Sequence, residues 1–297
     1  MVEGAEIRCT LSDGRDLAAF AVGSPDGPLV LHNHGGPSCR WEVALLADAA
    51  ASLGLRLVGV DRPGQGQSSP QHERTYAGWT ADLEALADHL GADRFAVTGW
   101  SEGGPWALGA AAYGSPERIV HVTSIAGGSY GTFGPNWAAE YQDTVDALGG
   151  RLALHFHPGF RLMYDMLEWT ATHGRKGFAR SLRKAVGPED VAVLDRPGLQ
   201  DAFLDCTAEC FAHGADGLVR DATVLYEQWD FDVADITRPV HLWQGMADRL
   251  VPPPINQRVC DEMPGGIWHP VDGIGHFVAV SHAEAILTIT AEDLAAT

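Results

Sequence analysis

Arg94-Phe95-Ala96-Val97-Thr98-Gly99-Trp100-Ser101-Glu102-Gly103 runs from an apolar, strand-like segment into a Gly-x-Ser-x-Gly turn, and Trp106-Ala107-Leu108-Gly109-Ala110-Ala111-Ala112 beyond it reads as helix. A serine hydroxyl is a weak nucleophile and must project clear of its sheet toward a base. Glycines two residues to either side let the chain turn sharply while the serine itself takes a strained backbone. A helix starting just after it turns N-terminal N–H groups toward negative charge developing beside the serine. Strand, tight turn and helix together make a nucleophile elbow. The competing interpretation, a Gly-rich turn with an incidental serine, is weakened by what surrounds the motif.

Working outward, short apolar runs alternate with helical patterns, which predicts a mostly parallel, doubly wound sheet. Ala5–Thr10 and Asp16–Val22 are expected to form an opening antiparallel hairpin around Ser12-Asp13-Gly14. Further strands are expected at Leu29–His32, Leu55–Val60, Phe95–Gly99, Val120–Ala126, Val240–Gln244 and Ile267–Val271. Helices are expected at Glu42–Leu53, at Trp79–Leu90 with Leu83, Leu86 and Leu90 on one face, after Ser101, and at Ala283–Leu294. From about Gly128 to Asp235 the rhythm gives way to helix-patterned sequence rich in large apolar side chains. We therefore expect a core domain of residues 1–127 and 236–297 carrying a helical cap of residues 128–235.

The chain has 297 residues, 45% hydrophobic and 20% charged, ordinary for a globular protein. Its net charge of −19 argues against binding nucleic acid or an anionic membrane, both of which need a basic face. Cys9, Cys39, Cys206, Cys210 and Cys260 show no metal-like clustering. The N-terminus lacks a basic region followed by an apolar run, and no stretch approaches ~18 apolar residues. A soluble, cytoplasmic protein is expected, with oligomeric state left open.

Four segments fall beyond the carboxyl ends of expected strands, where open α/β sheets gather their chemistry. His32-Asn33-His34-Gly35-Gly36-Pro37 can supply one N–H to an oxyanion, placed on Gly36, with the N–H of Glu102 as the other. Pro37 fixes that turn, a cis bond being one way to do so. Asp61-Arg62-Pro63-Gly64-Gln65-Gly66-Gln67-Ser68 is read as a structural loop beside it. Gln244-Gly245-Met246-Ala247-Asp248 and Gly273-Ile274-Gly275-His276-Phe277 complete the order Ser…Asp…His.

With these motifs the chain resembles an α/β-hydrolase-fold enzyme, from about residue 5 to the C-terminus apart from the cap. The resemblance implies an eight-stranded sheet, Ser101 as nucleophile, His276 as base, Asp248 as its orienting acid, and no metal or organic cofactor. Serine in place of aspartate disfavours epoxide hydrolase and haloalkane dehalogenase activity. Ser38 and Glu102-Gly103 depart from the proline iminopeptidase pattern. The neighbourhood is closer to the esterase, lactonase, cofactor-free perhydrolase and carbon–carbon hydrolase branch. Cleavage of a carboxylic ester or lactone of a small, largely apolar molecule is the leading expectation. Carbon–carbon hydrolysis of a diketone-like substrate, a biosynthetic variant and a small-molecule receptor are the alternatives.

His34, Gly35, Trp100, Trp137, Phe160, Trp169 and Phe277 are the expected substrate contacts, the cap aromatics forming a roof over Ser101. Loop anchoring competes for His32 and His34. Asp61 and Asp272 are weaker rivals as functional acids. Glu102 is expected to complement the helix N-terminus and face away from the oxyanion site. The basic cluster Arg175, Lys176, Arg180, Arg183 and Lys184 is read as a solvated helix face.

Overall fold

β1 (Ala5–Thr10) and β2 (Asp16–Gly23) pair antiparallel, and β2 joins the sheet antiparallel to β4 (Arg56–Val60). β3 (Leu29–Asn33), β5 (Phe95–Trp100), β6 (Ile119–Ile125), β7 (Val240–Gly245) and β8 (Gly266–Val271) continue it in parallel. The order is β1-β2-β4-β3-β5-β6-β7-β8, an eight-stranded, mostly parallel sheet as expected. This computed structural model describes residues 3–142 and 146–296.

Alternation along the strands divides the core into two layers. Leu29, Leu31, Val58, Val60, Phe95 and Val97 face α2 (Tyr76–His89), α3 (Gly103–Tyr113) and α11 (Pro253–Glu262). Val30, Leu57 and Ala96 face a 3-10 helix (Arg40–Leu46), α1 (Ala47–Ser52), α12 (Val278–Ser281) and α13 (Ala283–Ala295). The helix expected over Glu42–Leu53 thus splits in two and starts earlier. Arg40 is drawn inward by its ion pair with buried Asp61 (2.9 Å), which tightens the first turns.

Between β6 and β7 lies a helical insert: α4 (Trp137–Glu140), α5 (Asp146–His155), α6 (His157–His173), α7 (Arg175–Ala185), α8 (Pro188–Leu194), α9 (Leu199–Cys210) and α10 (Asp216–Tyr226). It has a core of its own, in which Tyr130, Trp137, Phe160, Tyr164 and Tyr226 are buried together. Asp221 on α10 ties the insert to the sheet domain. It pairs with Arg62 and Arg74 and accepts Gln65 Nε2 at 2.9 Å, all four side chains being buried. No helix among the described residues is long and apolar enough to cross a membrane.

Candidate active site

Ser101 follows the last residue of β5, with φ of +55°, and its N–H donates to Ile125 O at 2.9 Å. The turn is possible because two backbone segments nearly touch. A Cβ at Gly99 would lie 2.0 Å from Gly103 O, and one at Gly103 would lie 2.0 Å from Asn33 O. Only glycine fits either position, so the motif's spacing has a steric cause.

His276 Nδ1 lies 2.9 Å from Asp248 Oδ2, and both side chains are buried. Asp248 Oδ1 accepts the N–H groups of Leu250 and Val251, and Gln244 Nε2 donates to Oδ2, so the carboxylate is fixed from three sides. Burial alone would push His276 down, but Asp248, reinforced by Asp190 and Asp146, holds it above its ordinary value. Asp272 is exposed and stands outside this arrangement.

The loop before Ser101's neighbourhood is held from beneath. Glu42 accepts the Gly35 N–H at 3.0 Å and faces His32 Nε2 at 3.0 Å. Arg62 donates to the carbonyls of His34 (2.5 Å) and Gly35 (3.3 Å). The Gly36–Pro37 peptide is cis. With those carbonyls engaged, the N–H groups of Gly36 and Glu102 have no acceptor among the described residues. Asp61 takes the Arg40 N–H (2.6 Å) and the Gln67 N–H (2.9 Å), the structural use expected of its loop.

A cavity of about 200 Å3 opens over Ser101 and His276. The insert supplies much of its wall: Phe178 and Leu182 one turn apart on α7, Phe203 on α9 and Leu225 on α10. Pro37, Trp100, Tyr130, Leu250, Val251 and Phe277 add to the apolar lining, and Gly35 and Gly36 border it. Three carboxyl side chains, Glu42, Glu102 and Asp146, also line it, with no Lys or Arg among the described lining residues.

Several expected contacts lie elsewhere. Trp137 is buried in the insert, stacked on Tyr130 at 4.4 Å, and Phe160 packs edge-on to Tyr164. Trp169 is 62% exposed beside His173. Trp137 and Phe160 seal the helices against one another, and other side chains of the insert, Phe178, Leu182, Phe203 and Leu225, face the cavity. His34 is buried outside the lining and serves its loop, with Nδ1 2.7 Å from Gly35 O.

Glu102 also departs from expectation. Its side chain folds inward against Gly36, where an added Cβ would lie 1.8 Å from Oε2. That oxygen is buried and has no hydrogen-bond partner. Burial pushes its carboxyl up to about 8 against the pull of Arg62, with Asp221 and Asp146 adding to the rise. The group is therefore mostly neutral at pH 7, and an acid sits beside Ser101 without placing a charge there.

Asp190, absent from the sequence argument, accepts the N–H of His276 (2.8 Å) and of Phe277 (2.9 Å) from α8. Asp146 accepts the Tyr226 hydroxyl at 2.8 Å. Neither sits in a motif. On α7, Arg175 pairs with Asp201 and Asp205, and Arg183 with Asp195, all partly exposed.

This sheet order, with a serine on a strained turn and an Asp–His pair at the same strand ends, defines an α/β-hydrolase architecture. A family model described as "alpha/beta hydrolase fold" matches residues 28–283, and the chain belongs to that family. It is 24% identical over 300 residues to a 2-hydroxy-6-oxo-2,4-heptadienoate hydrolase of Pseudomonas putida, covering 98% of both chains. It is 38% identical over 122 residues to a proline iminopeptidase of Xanthomonas citri, covering 39% of this chain and 37% of that one. Among solved structures, an enol-lactonase from Burkholderia xenovorans LB400 superposes with a TM-score of 0.67 at 18% identity, covering 97% and 100% of the two chains.

Proposed function

We propose that the protein is a serine hydrolase that cleaves a carboxylic ester or lactone of a small, uncharged, largely apolar molecule. Ser101 attacks the acyl carbonyl, and His276 takes its proton and delivers it to the departing alkoxide. Asp248 holds the imidazole with its proton on Nδ1 and stabilises the imidazolium. The N–H groups of Gly36 and Glu102 receive the oxyanion, and water then releases the acid from the acyl-enzyme.

The observation that carries the reading is the lining of the cavity over Ser101: apolar walls, three carboxyl groups and no Lys or Arg among the described residues. A carboxylate-bearing substrate, such as the dienoate named for the Pseudomonas putida relative, would find no Lys or Arg to pair with. A neutral ester or lactone meets no such cost.

A fluorophosphonate label, followed by a panel of neutral esters, lactones and dienoate diketones, tests this. The expected result is labelling abolished by Ser101→Ala and turnover concentrated in the esters and lactones. Fastest turnover of a dienoate would replace ester cleavage with carbon–carbon cleavage, and full labelling of Ser101→Ala would remove the nucleophile assignment.

A further inference from the structure

A second cluster of polar side chains lies at the other end of the sheet. The register pairs Ala96 with His121 in parallel strands, five residues before Ser101, or about 16 Å along the strand. There His121 on β6 and His241 on β7 stack with centroids 4.9 Å apart, both buried, and Asp293 reaches down from α13. One carboxylate oxygen receives both rings: Asp293 Oδ2 is 2.7 Å from His121 Nδ1 and 3.6 Å from His241 Nε2.

We propose that His121, His241 and Asp293 form a site for a divalent transition-metal ion, best matched by Zn2+, that fastens the C-terminal helix to the sheet. The three ligand atoms lie within 4.8 Å of one another. Zinc bonds of about 2.0–2.1 Å in tetrahedral geometry put ligand atoms about 3.3 Å apart, a value the two observed separations bracket. Asp293, with 42% of its side chain exposed, is free to move and leaves its outer side open to water as a fourth ligand, while the two ring nitrogens, within 4.8 Å of each other, must draw together to close the site.

The outer side of each ring is built for this role. A metal-bound imidazole donates its other ring N–H to a fixed acceptor. His121 Nε2 lies 2.6 Å from Thr123 Oγ1 and 3.1 Å from Thr290 Oγ1. Thr290 Oγ1 donates its own proton to Ile286 O, leaving a lone pair for the ring. His241 Nδ1 lies 2.8 Å from His269 Nε2, and His269 is itself clamped on Trp243 with centroids 4.4 Å apart. Without a metal, His121 Nδ1 donates to Asp293 Oδ2; moving that proton to Nε2, where Thr123 Oγ1 can accept it, turns Nδ1 into a ligand.

The test uses the full chain, stripped with EDTA and titrated with Zn2+ in a calorimeter, with melting followed in parallel. The expected result is one equivalent bound and a melting point raised by about 5 °C at a hundredfold excess over Kd. Asp293→Asn, at a half-exposed position, should weaken binding at least tenfold, and His241→Gln should abolish it. Co2+ in place of Zn2+ should give the visible bands of a tetrahedral site only in the parent protein. Absence of saturable binding up to 100 µM Zn2+, or one equivalent retained in Asp293→Asn/His241→Gln, would overturn the proposal.

Discussion

The Asp190 carboxylate, carried by a helix of the insert, accepts the backbone N–H of His276 at 2.8 Å and that of Phe277 at 2.9 Å. The segment bearing the proposed base is thus anchored from outside the sheet domain. Asp190→Ala should leave Ser101 in place but free that segment, lowering kcat on the order of 10²-fold, since small misplacements of a reacting group are that costly. Asp190→Asn, which keeps one acceptor oxygen, should recover part of the loss. Equal kcat for all three proteins would remove Asp190 from the positioning scheme.

The pH profile should be bounded on both sides. His276 must be neutral to accept the Ser101 proton, and its raised pKa places the acid limb of kcat/KM above the ordinary imidazole value. Asp248→Asn should move that limb down while lowering kcat about 10²–10⁴-fold. Glu102 acts in the opposite sense. Below about 8 it is neutral, and above that value its carboxylate opposes the oxyanion, so activity should decline as pH rises through 8. Glu102→Gln should abolish this alkaline limb, and a limb unchanged in that variant would refute the assignment.

Asp221 pairs with two buried arginines, Arg62 and Arg74, one through each carboxylate oxygen. Asp221→Ala leaves both cations buried without a carboxylate partner, a change that typically costs about 3–5 kcal/mol. Chemical denaturation should show a loss of that size, whereas replacing the exposed pair of Arg175 and Asp201 should change stability by less than about 1 kcal/mol.

The wall formed by Phe178, Leu182 and Phe203 should set acyl-chain preference. Each methylene buried against it is worth about 0.8 kcal/mol, or roughly fourfold in kcat/KM, until the cavity is filled. An ester series from acetate to octanoate should therefore rise and then level off. Phe203→Ala or Leu182→Ala should flatten the rise, Trp137→Ala should act on stability, and Trp169→Ala should do neither. A steady fall from acetate onward would mean that the cavity does not hold the acyl chain.

The sheet was legible because its strands are short apolar runs separated by turn residues, and because the elbow's glycines answer to steric contacts that leave a fixed spacing. Ser101, Asp248 and His276 could be singled out on the same basis, each standing at a strand end. The insert was not legible in the same way. An aromatic that seals a small helical core and one that roofs a cavity have the same pattern, and only packing separates Trp137 from Phe203. Asp190, Asp146 and the inward turn of Glu102 depend on tertiary approach with no spacing to announce it. The same holds for His121, His241 and Asp293, which come from three distant parts of the chain.

The anchoring by Asp190 and Asp221 bears on how such proteins can be recombined. The insert looks like an exchangeable module, spliced between two strands and free to be traded for that of a relative. Yet it carries the acceptor that holds the His276 segment and the carboxylate that pairs with Arg62 beneath the Gly35–Gly36 loop. A chimera receiving a foreign insert would lose both, even with every residue of the sheet domain retained. Swapping specificity by transplanting this segment therefore requires moving Asp190 and Asp221 with it, or supplying their equivalents in the donor.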